Sequence, residues 1–103
     1  MEGLSTASTA FRFLGKRWNG MLLAVLGGGP AGFAELRRAV AGISDSVLSD
    51  RLGELTAAGL VQRTVEEGPP VSVVYALTPA GRALLPALDA LGKWAAENLA
   101  RAH

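Results

Sequence analysis

The chain has 103 residues, 50% of them hydrophobic and 18% charged, with a net charge of +1 and a mean hydropathy of +0.29. That length suits one domain, and the near-neutral balance excludes a histone-like polycation, so any contact with an anion must come from local placement. With no cysteine, disulfides, thiolate metal sites and thiol redox chemistry within these residues are excluded together.

Residues 1–7 are small and polar and read as a loose tail. From Ser8 to Leu26, Phe11, Leu14, Trp18, Met21, Leu22, Val25 and Leu26 recur at three and four, which is helical spacing. Gly15 divides this stretch into a short first helix and a longer second one, and "GGGP" at 27–30 ends it. A helix of about two turns follows at 32–40, with Phe33, Leu36 and Val40 on one face and Arg37 and Arg38 off it. After the glycine-containing connection "AGI", Ser44 caps a helix over 44–58 and Asp45 puts negative charge at its positive end. Gly59 stands where a helix-ending glycine is expected. From Leu60 the residues become β-branched: "LVQRTV" and "VSVVYAL", separated by "EEGPP", predict a hairpin over 60–77. Thr78 and Pro79 open a last helix over 79–101, with Leu84, Leu88, Leu91, Trp94, Ala95 and Leu99 as its stripe and a kink expected at Pro86. The fold class is mainly α with a small β-hairpin wing.

Catalysis finds no support. The one histidine is His103, no Ser/His/Asp set or metal cluster can be assembled, and "GGGP" lacks the Lys-Ser/Thr of a phosphate loop. No cofactor is implied. The longest strongly apolar run, Met21–Leu26, is too short to cross a membrane. Residues 1–10 lack the basic start and apolar stretch of a secretory signal, so a cytoplasmic protein is expected.

A short helix, a glycine turn and a capped second helix make a helix-turn-helix unit, whose second helix can enter the major groove with its N-terminal residues against base edges. Projected at helical spacing, Leu48, Leu52 and Leu55 point inward; Ser46, Asp50 and Gly53 point away, with Val47, Ser49 and Arg51 on the flanks. The serines can hydrogen-bond, Val47 can touch a thymine methyl, and Arg51 can pair with guanine or clamp a phosphate. Ser44, Ser46, Val47, Ser49, Asp50 and Arg51 are therefore candidate DNA contacts, with Arg37, Arg38 and Lys16 as candidate backbone contacts. Asp45, Asp50 and Glu54 oppose that reading, because each carboxylate repels phosphates.

The pieces "LGKRWNGMLLAVL", "GFAELRRAVAGISDSVLSDRLGELTAAGLVQR", "PVSVVYALTPAGRAL" and "LGKW" stand in an order and spacing that resemble the HxlR-type winged helix-turn-helix transcription regulators, over about residues 12–95. The resemblance implies a homodimer on a roughly palindromic DNA operator, with 44–58 as recognition helix, 60–77 as wing, and the N- and C-terminal helices forming the dimer interface. That fits a chain with more apolar residues than one small core needs. Phe11, Leu14, Leu88, Leu91, Trp94 and Leu99 are the interface candidates. The resemblance also implies response to electrophiles, oxidants or small molecules. Many members carry a sensing cysteine near the N-terminus, and this chain has none; a small-molecule pocket lined by Phe11, Phe13, Trp18, Met21 and Trp94 is the alternative. At the wing tip, where the family usually has a basic residue, this chain has Ser72 as the candidate DNA contact, with Glu66 and Glu67 nearby. The second reading is a winged-helix protein-interaction module with weak or no DNA binding.

Overall fold

The computed structural model describes residues 2–15 and 17–99, and at residues 2–5, 11 and 13 the backbone alone. The elements in chain order are α1 (Glu2–Leu14), α2 (Asn19–Gly27), β1 (Ala31–Gly32), α3 (Phe33–Ala39), α4 (Asp45–Ala57), β2 (Val61–Glu66), β3 (Ser72–Leu77) and α5 (Pro79–Asn98).

Two features of the N-terminal region differ from the sequence expectation. Residues 2–7 are not a loose tail but the first turns of α1. Leu4, Ala7, Phe11 and Leu14 recur at three and four, so the stripe starts earlier than Phe11, and one continuous stripe outweighs the small polar residues between. As a result α1 is the longer of the two N-terminal helices. The connection turns at Trp18, whose φ of 85° lies in the left-handed region that a bulky side chain rarely adopts. Its ring packs beside the α3–α4 turn, where a β-carbon on Gly42 would stand 3.7 Å away, and the Arg17 guanidinium lies 4.3 Å from the ring centroid.

The core is built around α2. Leu22, Leu23 and Leu26 are fully buried among Leu36 of α3, Val40 just after it, Leu48, Leu52 and Leu55 of α4, Val61 of β2 and Leu77 of β3. A short helix with apolar residues on nearly every side is buried on nearly every side, and α2 packs against α1, α3, α5 and β3.

The sheet has three antiparallel strands in the order β1-β3-β2. The β2–β3 register runs from Val61↔Leu77 to Glu66↔Ser72, leaving 67–71 as the tip. The third strand, β1, pairs Ala31 with Tyr75 and Gly32 with Val74. Two residues carry no alternation, so β1 is invisible as a pattern in the sequence.

The end of α4, the start of β2 and the start of α5 meet at Thr78. Its hydroxyl donates to the Gly59 carbonyl (2.6 Å) and accepts from the Gly81 N–H (3.1 Å), and its own N–H donates to the Leu60 carbonyl (3.1 Å). Pro79 then begins α5, which continues through Pro86 to Asn98 as one element. The molecule is extended, 49 × 35 × 23 Å, with a radius of gyration of 15.0 Å against about 13 Å for a compact chain of about 100 residues.

Candidate nucleic-acid interface

α4 is closed at both ends by its own sequence. The Ser44 hydroxyl accepts from the Val47 N–H at 3.2 Å, an N-cap, and lies 3.4 Å from the Ser46 hydroxyl. At the other end Gly59 takes a φ of 80°; its N–H reaches the Thr56 carbonyl and the Leu60 N–H reaches the Leu55 carbonyl, both at 3.0 Å. That pair of bonds is a Schellman motif. Leu48, Leu52 and Leu55 are buried, while Ser46, Ser49, Asp50 and Gly53 are exposed on the opposite side. The outward side is made of small residues and bears no packed neighbour at Gly53, where an added β-carbon would meet nothing within 4 Å.

Three of the candidate contacts are committed inside the protein. Ser44 is the cap of α4. Val47 packs partly against the core. Arg51 is turned back onto its own helix: its Nη1 donates to both carboxylate oxygens of Glu54 at 3.0 and 2.9 Å, with only 23% of the side chain exposed. Its Nε is buried without a hydrogen-bond partner among the described residues. A three-residue spacing puts the two side chains on neighbouring helical positions, so the sequence allows this pairing with Glu54 as the plain alternative to DNA contact. Arg51 is thus not presented as a free base reader.

Arg37 is likewise engaged. Its Nη1 meets the Asp45 carboxylate at 2.9 Å, joining α3 to the first turn of α4. Both side chains are more than half exposed, so this tie is weak and easily exchanged for another anion. Arg38, beside it on α3, is exposed and has no ion pair among the described residues. Lys16 lies outside the described residues.

The wing leaves the core quickly. Val61 is buried and the rest of β2 is exposed. Ser72 faces Glu66 across the base of the tip, and Glu67 follows, so the tip is acidic. Arg63, which the sequence reading passed over, pairs with Tyr75 across the two strands. It shares the face of Val61 by strand alternation and lines a cleft with Ser49 and Gly53 of α4. Its position two residues beyond a buried strand residue was the signal that could have found it.

The expected interface and pocket residues separate into two groups. Leu91 (50%) and Trp94 (52%) on α5 and Leu99 (52%) just after it are large exposed apolar side chains, and Met21 on α2 is exposed as well. Leu14 and Leu88 instead pack partly against the chain's own core. Phe11 and Phe13 have side chains outside the description. Trp18 packs at the helix-turn-helix turn, and none of Trp18, Met21 and Trp94 lines the three clefts described, of about 550, 700 and 380 Å³. Among the described residues no cluster is arranged to hold a metal ion, and no helix is long and apolar enough to cross a membrane.

This arrangement is shared with known proteins. The profile described as HxlR-like helix-turn-helix matches residues 13–103. The HTH-type transcriptional regulator YodB of Bacillus subtilis (strain 168) is 41% identical over 87 residues, 84% of this chain and 78% of that protein. YvaP of the same organism, an HTH-type transcriptional regulator, is 41% identical over 88 residues, 85% and 82% of the two chains. The solved structure of YodB from B. subtilis in its reduced form has a TM-score of 0.83 at 39% identity, covering 89% of this chain and 90% of that one. The redox regulator HypR in its reduced form has a TM-score of 0.85 at 32% identity, covering 90% and 92%.

Proposed function

The chain belongs to the HxlR-like helix-turn-helix family of transcriptional regulators, and from that premise we propose that it is a sequence-specific DNA-binding regulator acting as a homodimer on a roughly palindromic operator. The observation that carries this reading is the outward side of α4: Ser46, Ser49, Asp50 and Gly53 are small or short and exposed, on a helix capped at both ends and anchored by three buried leucines. Such a surface can approach base edges closely. Arg38, and Arg37 once it exchanges Asp45 for a phosphate, would steady α3 on the backbone.

Two recognition helices must reach successive major grooves about 34 Å apart, which calls for a second copy. The chain exposes 6902 Å², against roughly 5500 Å² for a compact monomer of its mass. The excess is more than the about 800 Å² per partner of a standard interface, and Leu91, Trp94 and Leu99 lie on the side it would cover. We assign the interface to α5, with α1 beside it.

Relatives include a redox regulator, but a chain without cysteine cannot sense through a thiol of its own. A small molecule that binds two dimer geometries unequally would carry a signal to this protomer without a thiol.

Gel-shift titration against DNA upstream of its own and neighbouring genes tests the proposal. A retarded, saturable complex on one fragment and not on a scrambled duplex is expected; equal weak binding to both would sink it. The second reading, a protein-interaction module, is favoured by the acidic wing tip and by the ion pairs that occupy Arg37 and Arg51.

A further inference from the structure

We infer that the cleft between α4 and the wing, lined by Arg63, is a phosphate seat, where one strand of a duplex rests while the N-terminal residues of α4 face base edges. This inference rests on the DNA-binding reading above. The cleft has a volume of about 380 Å³ and takes Ser49, Gly53 and Thr56 from α4 and Arg63 and Tyr75 from the wing, with no carboxylate in its lining. Arg37, Arg51 and Lys93 are each held by an acid. Arg63 is exposed and has no ion pair among the described residues. A guanidinium presents its donors in a planar fork suited to phosphate oxygens, and Ser49 and Tyr75, which line the same cleft, carry hydroxyls of their own. The Thr56 hydroxyl is spent on the Leu52 carbonyl at 2.7 Å.

Position argues for phosphate over base. Base edges are met by the N-terminal residues of a recognition helix, whereas Gly53 and Thr56 lie in its C-terminal half, with Ser49 one turn before Gly53, and Arg63 stands on β2, beyond the end of that helix. The cation that the acidic wing tip lacks is therefore supplied from the wing's stem.

The test is fluorescence anisotropy of the full chain on two labelled duplexes of about 30 base pairs, long enough for two half-sites one turn apart. One carries the preferred upstream sequence and the other its scrambled counterpart, and both are titrated across a range of KCl. Arg63→Ala should lower the slope of log K against log salt by about one per protomer, and weaken binding on the order of tenfold per protomer at about 0.1 M salt, equally on both duplexes. Arg63→Lys should keep the slope. Lys93→Ala, the same change of charge away from the cleft, should alter neither quantity. Arg63→Gln, which keeps a long polar side chain, should repeat the alanine result with the thermal midpoint of the parent. An unchanged slope in Arg63→Ala and Arg63→Gln, or a loss confined to the preferred duplex, overturns the phosphate seat and leaves the DNA-binding reading standing. A parent chain that binds neither duplex overturns both.

Discussion

At Gly81 the first turn of α5 lies so close to the start of β2 that a β-carbon would collide with the Leu60 carbonyl oxygen and stand 3.2 Å from a Leu77 methyl. Backbone cannot yield as a flexible side-chain end does, so Gly81→Ala should destabilise the fold by about 2–3 kcal/mol, read from urea unfolding. Gly53 is the opposite case. Its added methyl would meet nothing, and alanine is favoured over glycine inside a helix by about 1 kcal/mol. Gly53→Ala should therefore raise stability by that amount. If α4 lies in a groove, the same methyl should lower DNA affinity, so the two measurements move in opposite directions. A gain in both would place the face of Gly53 away from DNA.

The α3–α4 unit is held by its ends more than by its charges. Ser44 caps one end of α4 and the Gly59 motif the other, while the Arg37–Asp45 pair is solvated and adds little. Ser44→Ala should cost about 1 kcal/mol by losing the cap, whereas Asp45→Asn should change stability by only a few tenths. Thermal unfolding of both variants checks the ranking. The wing behaves differently: beyond Val61 β2 leaves the core and rests on the β2–β3 ladder, while β3 stays tied to β1, and the three hydrogen bonds of Thr78 tie Gly59, Leu60 and Gly81 together.

The extended shape and the exposed apolar side of α5 belong to one problem, a chain whose surface exceeds what its own core can cover. If a second copy covers Trp94, Trp94→Glu buries an unpaired charge, which costs about 3 kcal/mol or more and weakens self-association more than about a hundredfold. Sedimentation should then show the parent as a dimer and the variant as a monomer with its helical content intact. A parent that remains single at the same concentrations removes the dimer from the proposal, and with it the spacing of two recognition helices.

Much was legible in the amino-acid order because local physics settles it: the caps at Ser44 and Thr78, the glycine stop at Gly59, the leucine stripe of α4, the hairpin and the family motifs each depend on residues a few positions apart. The two-residue β1 escaped because its pairing with β3 is long-range and has no period. The Arg51–Glu54 pair was within reach of the sequence, because its spacing is local. The Arg37–Asp45 pair escaped, because it depends on the approach of α3 to α4. Arg63 gains its place beside Ser49 because the sheet folds back over the end of α4. Which leucines face inward follows from periodicity in one segment; which cation is left to meet a phosphate is decided where several segments converge, and electrostatics acts across that space without regard to chain distance.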